Sequence, residues 1–309
     1  MGVGLPDAIT DRSIPFLNIR QGSQVDLIIR RFKRNKLAVF GLLLSTFYIT
    51  VSLLGPLFAP HDPFQTAAGP AMQGPTLTHP MGTDQLGRDI FSRVLYGGRI
   101  SILVGVATVA LATVGGVTFG LIAGYFRGWV DESIMRIVDV FFAFPNILLA
   151  LVIVAILGPG LDRVVLALGI AYGIYMTRVA RGSAISVREE EYIMAAISYA
   201  ERTHYIMFRE MLPNMLSAVM VQATLIWAFA ILAEATLSYL GLSAQPPTST
   251  WGVMVSDGQA IIAQAPHAVI FPGIAIMISV LGLTFLGVGL RDALDPHSDT
   301  EADAGGASV

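Results

Sequence analysis

An all-α membrane protein of six transmembrane helices, with both termini in the cytoplasm, is the architecture this sequence predicts. Three observations predict it. Of 309 residues, 54% are apolar and only 13% charged, with a mean hydropathy of +0.67, about half the charge that a soluble domain carries. Uncharged runs recur at the length of about 20 residues that a helix needs to cross the hydrocarbon. The arginines and lysines then gather on alternate connections, as cytoplasmic segments do. The same composition excludes an ordinary soluble enzyme and a disordered chain. A net charge of −3 leaves no basic face for nucleic acid. The absence of cysteine removes disulfides, thiolate metal sites and a cysteine nucleophile, and leaves the redox compartment unread.

Residues 1–36 read as a cytoplasmic N-terminal segment with Arg12, Arg20, Arg30, Arg31, Lys33, Arg34 and Lys36. The first span is Leu37 to Phe58, closed by Ala59-Pro60-His61-Asp62-Pro63. It lies too deep, is too long and lacks a small-residue cleavage site for a signal peptide, so it is expected to stay as an anchor. Residues 59–98 form an extracytoplasmic loop rich in Pro, Gly, Thr and Asp. Ile90, Val94 and Leu95 fall at helical spacing there, predicting a short helix on the membrane surface. Asp84 and Asp89 beside Arg88 do not match a calcium loop and read as a helix cap and a salt bridge.

A core domain over 99–296 holds the other five spans. The second, between Arg99 and Arg127, carries Gly116, Gly120 and Gly124 on one stripe. Small residues let helix backbones approach in lipid, which points to tight packing against a neighbouring helix; the competing reading is that glycine is simply frequent in membrane helices. The third span follows Asp139 and reaches Leu157, and the fourth, Val164 to Thr177, is short enough that Arg163 and Arg178 must snorkel to opposite interfaces. The fifth starts after Pro213 and runs to about Leu240; the sixth spans Ala268 to Leu290. Pro145 and Pro272 are expected to kink their helices or mark their entry. With the N-terminus inside, only Arg88, Arg93, Arg99 and Arg163 of the 19 basic residues fall outside. Residues 297–309 read as a disordered acidic tail.

The connection over 182–214 is the most informative stretch. Glu189, Glu190 and Glu191 suit the positive end of a helix dipole. Ile193, Ala196, Ile197 and Ala200 then share one apolar, low-profile face. A second helical piece, Tyr205 to Met211, is expected to stop at Pro213. The pair reads either as a docking platform for another protein or as a connector on the lipid headgroups. Neither lysine follows a glycine, so no phosphate-binding loop exists, and no HExxH or GxSxG motif is present. Glu234 is the acidic residue deepest in a span, a candidate for a pathway or subunit interface, and in a rival reading the proton site of a self-sufficient carrier.

The segment from Glu191-Tyr192 through Ala195-Ala196 to Leu212-Pro213-Asn214 resembles the EAA loop of binding-protein-dependent ABC importer permeases. Further motifs are similar to the C-type subunit of the peptide/nickel permease group. They are Arg34-Asn35-Lys36-Leu37-Ala38, His79-Pro80-Met81-Gly82-Thr83-Asp84 with Gly87-Arg88-Asp89, Asp139, Phe144-Pro145, Glu234-Ala235, Leu240-Gly241-Leu242, Trp251-Gly252 and Leu290 to Pro296. The resemblance implies a type I importer permease fold in the cell inner membrane. It also implies a non-catalytic subunit without cofactor or metal, partnered by a second, B-type permease subunit, one or two ATP-binding subunits and an extracytoplasmic binding protein. Di- or oligopeptides are the substrates it implies first, with nickel chelates, haem or glutathione-like molecules behind them. Glu191, Met194, Ala195, Ala196, Ala200, Glu210 and Pro213 would then contact the ATPases. Met194 stands where the family has the naming Glu, Glu210 where it has His, and Ala200 where it has Gly. Ala200 suits a helix better than a left-handed turn, so an altered bend is expected there. Thr284 and Val288 stand where Asn and Asp are common.

Overall fold

The computed structural model describes residues 24–294; Arg12, Arg20, Pro296 and the acidic tail expected from the sequence lie outside them. The described residues form helices α1 (Gln24–Arg34), α2 (Lys36–Leu54), α3 (Ile90–Phe126), α4 (Gly128–Phe142), α5 (Asn146–Leu157), α6 (Leu161–Arg188), α7 (Glu191–Ser198), α8 (Thr203–Tyr205), α9 (Leu212–Tyr239), α10 (Trp251–Gln259) and α11 (His267–Leu294). No strand occurs among them, only an isolated bridge between Thr83 and Asp89. Five helical rods are long and apolar enough to cross a membrane: Lys36–Phe58, Ile90–Phe126, Leu161–Arg188, Thr203–Tyr239 and His267–Leu294. The pair α4 and α5, bent by 88°, makes six if taken as one broken span.

That break corrects the third predicted span. Asp139 to Leu157 is not one helix: α4 ends at Phe142, and Pro145 caps α5. Proline has no N–H to donate and pushes Phe144 out of the helical region, so the chain turns there. By itself α5, with 12 residues, rises about 18 Å, short of a hydrocarbon core of about 30 Å.

Three other expectations are also revised. The surface helix over Ile90–Leu95 is not separate, because α3 runs unbroken for 37 residues from Ile90. Gly97 and Gly98 do not interrupt it, since a Cβ on either would collide with Trp251 or Ser52, and that burial offsets their weak helix propensity. The fourth span extends to Arg188, which places Arg178 well inside α6 rather than at its interface end. Arg178 instead pairs with Asp139 at 2.5 Å and lies 3.6 Å from the Phe142 ring centroid. Pro213, finally, stops nothing. Residues 203–239 form one rod in which Ile206–Met211 is π-helical, and Pro213 sits in the first turn of α9, where its missing N–H costs little.

The frame is the α3–α6 pair. A Cβ on Gly116 would lie 2.5 Å from Met176 Cβ, on Gly120 2.6 Å from Ala180 Cβ, and on Gly124 2.5 Å from Ala184 Cβ. The three glycines therefore let α3 lie directly on the small-residue face of α6. On the other side α2 packs against α11, with Gly41 against the Phe285–Leu286 backbone and Gly289 against Ala38. Asn35 caps α2 through Leu37 N (3.0 Å) and Ala38 N (3.2 Å), and its amide donates to Asp292 at 2.9 Å. The first and last of the sequence motifs meet in that bond.

Candidate functional site

Two candidate regions lie at opposite ends of α3. At its C-terminal end sits the segment from Glu191 to Pro213. Glu189 ends α6 and pairs with Arg127 at 2.9 Å, Glu190 caps α7, and Glu191 begins it. Ile193 is fully buried and joins Ile206, Met207, Met211 and Met215 in a cluster with Leu121 of α3 and Ala180 and Ala184 of α6. The segment is thus bolted by its own apolar side to the two frame helices. Next to it, Arg181 makes a two-pronged pair with Asp131 at 2.5 and 2.6 Å, which fastens α4 to α6.

The predicted single apolar face divides in two. Ile193 points into the cluster and Ala196 packs against it, while Ile197 and Ala200 are exposed. The outer surface carries Tyr192, Met194, Ala195, Ile197 and Tyr199, the last 88% exposed. Partial desolvation, followed by the carboxylates of Glu190 and Glu210, pushes the Tyr192 phenol above its ordinary value, so it stays a neutral donor on that surface. Ala200 does adopt the left-handed conformation, with φ of 55°. Glu201 N donates to Ala196 O at 3.1 Å, closing the turn that ends α7. The altered bend expected from alanine is not found, because the closing bonds enforce the glycine-like geometry. Met194 and Pro213 are exposed and Glu210 half-buried, its carbonyl accepting from the Asn214 amide at 2.6 Å.

At the other end of α3, residues 59–89 fold over the helix start. Asp89 caps α3, accepting from Ser92 N at 2.8 Å. Asp84 accepts from Leu86 N and Arg88 N and pairs with Arg88 Nε at 2.6 Å, the cap and salt bridge read from the sequence. Arg88 and Arg93 also reach Asp257 of α10, at 3.3 and 3.9 Å. Sequence spacing offered no sign of this long-range charge cluster, since Asp257 lies more than 160 residues downstream. Trp251 donates from its indole to Val94 O at 2.9 Å, and a Cβ on Gly252 would strike Ala235 O at 2.2 Å. The Trp-Gly pair thereby clamps α10 between α3 and α9.

Glu234 is completely buried. Its Oε1 accepts from Ser238 at 2.6 Å and Ser243 at 3.1 Å, and Thr250 donates to Ser238 at 2.9 Å. No ion pair to Glu234 occurs among the described residues. The carboxylate holds the connection between α9 and α10, the loop that leaves α9 through Gly241 at φ of 78°. An apolar groove of 350 Å³ opens between α3, α4 and α6, lined by Leu111, Phe119, Ile137, Phe141 and Ile170 among others.

With these regions placed, comparison with known proteins is decisive. Residues 116–299 match the family described as binding-protein-dependent transport system inner membrane component, and residues 23–75 match the N-terminal TM domain of oligopeptide transport permease C. The chain belongs to the binding-protein-dependent transport permease family. The dipeptide transport system permease protein DppC of Alkalihalophilus pseudofirmus is 46% identical over 86% of this chain and 88% of its own length. The glutathione transport system permease protein GsiD of Pectobacterium atrosepticum is 41% identical over 86% and 89%, and DppC of Bacillus subtilis 37% identical over 86% and 84%. This permease is accordingly a multi-pass inner-membrane transport subunit with the type I permease fold and not an enzyme. The family works with ATPases, a further permease subunit and a binding protein.

Proposed function

We propose that this chain is the C-type permease subunit of an ATP-driven importer of di- or oligopeptides, and that it supplies half of the translocation path. Relatives named for dipeptide and for glutathione, itself a tripeptide, support a short-peptide substrate. A B-type permease subunit forms the other half, one or two ATP-binding chains provide the energy, and an extracytoplasmic binding protein delivers the peptide. The observation that carries the reading is the seating of Glu191–Pro213. One side is fixed to α3 and α6 through Ile193, Ile206 and Met211, while Tyr192, Met194, Ala195 and Tyr199 stand free on the other. A push on the free side moves both frame helices together, because packed interiors transmit displacement rather than absorb it. ATP-driven closure of the partners would then open the path alternately to either side.

The test is Ala195→Asp in the assembled transporter. Ala195 is exposed, so the charge disturbs the docking face without entering the cluster, as Ala196→Asp would. The variant should insert and assemble, yet lose at least about tenfold of ATP-dependent peptide uptake. Uptake at the level of the unaltered complex would remove the coupling role from this segment. The rival proton-carrier reading finds no support around Glu234, where hydroxyls rather than titratable groups make the hydrogen bonds.

A further inference from the structure

We propose that His61, His79 and Asp89 form a binding site for a divalent transition metal of the zinc class at the loop end of α3. One ligand atom from each side chain lies within 4.8 Å of the others. His79 Nδ1 is 3.0 Å from Asp89 Oδ1, His61 Nδ1 is 3.8 Å from Asp89 Oδ2, and the two imidazoles stack with centroids 4.6 Å apart. Metal–ligand bonds of about 2.0–2.1 Å in a tetrahedral site put neighbouring donors about 3.4 Å apart. To reach that arrangement the donors must close in by up to about 1.4 Å, and the His61 ring, now stacked on His79 at 27°, must rotate so that both Nδ1 atoms aim at one point.

The decisive observation is His61. Its Nδ1 is shut off from solvent and has no hydrogen-bond partner, although buried ring nitrogens ordinarily find one. The His79–Asp89 bond accounts for two members of the group and leaves this third one unexplained; a metal ion accounts for all three. Asp89 is already oriented as a ligand should be, with Oδ2 held by Ser92 N at 2.8 Å and Ser92 Oγ at 2.7 Å. Two imidazoles and one carboxylate suit zinc, nickel or copper, and they supply too few oxygens for calcium. Three protein ligands leave a fourth position for water. On binding, the ion takes the place of the proton between His79 and Asp89, which leaves to solvent. The ion would join the beginning of the 59–89 loop, its middle and the cap of α3. This inference stands apart from the peptide-import reading.

The experiment uses the full-length chain, purified in detergent through a tag without histidine and stripped with EDTA. Zinc alone is added and bound metal is counted after gel filtration; cobalt alone is added to read its visible absorption bands. One ion per chain, a rise in melting temperature on loading and nitrogen–oxygen-type cobalt bands are expected. His61→Ala should weaken zinc binding at least tenfold and remove the rise in melting temperature on loading, while the stripped protein loses only the ring's stacking on His79. His61→Gln serves as a second variant of similar size, with the same expected loss. His204→Ala, at the far end of the molecule, should bind zinc as the unaltered chain does. The proposal is overturned if the unaltered chain retains no zinc, or if both His61 variants bind it as the unaltered chain does.

Discussion

Ala200 sits at φ of 55°, where a Cβ crowds the following carbonyl at a cost of about 1–2 kcal/mol. Glycine would remove that strain but give the unfolded chain about 0.5–1 kcal/mol of extra freedom. Ala200→Gly should therefore stabilise the protein by up to about 1.5 kcal/mol, read as a rise of about 2 °C in detergent melting; a fall would show that the turn does not persist in solution. Glu234 gives a second expectation at this scale. Its Oε1 serves Ser238 and Ser243 as an acceptor, a task a glutamine carbonyl also performs. Glu234→Gln should leave peptide uptake within about twofold, whereas Glu234→Leu strands both buried hydroxyls at about 1–3 kcal/mol each and lowers assembly. Loss of uptake in a well-assembled Gln variant would restore the titrating role. The left-handed Ala200 was signalled only by the glycine that the resembled family carries there, and the hydroxyl cage was not legible in the sequence. A single alanine carries no dihedral signal, and Ser243 reaches Glu234, and Thr250 reaches Ser238, only once the chain reverses at Gly241.

Helix packing decides the next scale. Gly120 faces Ala180 and the Thr177 carbonyl so closely that an added methyl carbon would lie 2.6 Å from each. Overpacking of this kind costs about 1–3 kcal/mol. Gly120→Ala should lower the melting temperature by several degrees, while Gly115→Ala, about one and a half turns away with nothing within 4 Å, should leave it level or raise it slightly. Equal effects would mean that α3 and α6 are not in register as described. The stripe itself was visible as Gly116, Gly120 and Gly124, because a four-residue repeat reports one helix face; its partner, α6, was not, since Ala180 and Ala184 look like ordinary small residues. The positions of the spans were legible for the same reason that hydropathy works, namely that lipid forbids unpaired backbone. Their ends were less so. Thr177 looked like an end because Arg178 follows it, but Asp139 and Phe142 from another element neutralise and cover that arginine, and the helix continues to Arg188. Likewise Pro213 reads as a stop only if every turn is α-helical, and the π-helical turns before it remove that premise.

At the scale of the whole molecule, α3 rises about 55 Å at 1.5 Å per residue, well beyond the hydrocarbon core. Its two ends therefore belong to different sides of the membrane. The loop over 59–89 covers one end and Glu191–Pro213 the other. Basic residues set the orientation: Arg127, Arg181, Arg188, Arg202 and Arg209 cluster at the α7 end, and the charges of α1 precede the first span. By the positive-inside rule we propose that the α7 end and the start of α2 face the cytoplasm and that the 59–89 loop faces outward. The chain contains no cysteine, so single cysteines can be introduced without background. Gly74→Cys lies in an exposed stretch with nothing within 4 Å of its new side chain, and Tyr199→Cys replaces the most exposed aromatic of the α7 surface. In right-side-out vesicles a membrane-impermeant maleimide should label Gly74→Cys and spare Tyr199→Cys, and in inverted vesicles the pattern should exchange. Labelling of both from one side would break the assignment of the ends. Labelling of each from the opposite side would turn the molecule over, and would place the exposed α7 face proposed for ATPase contact where no ATPase can reach it.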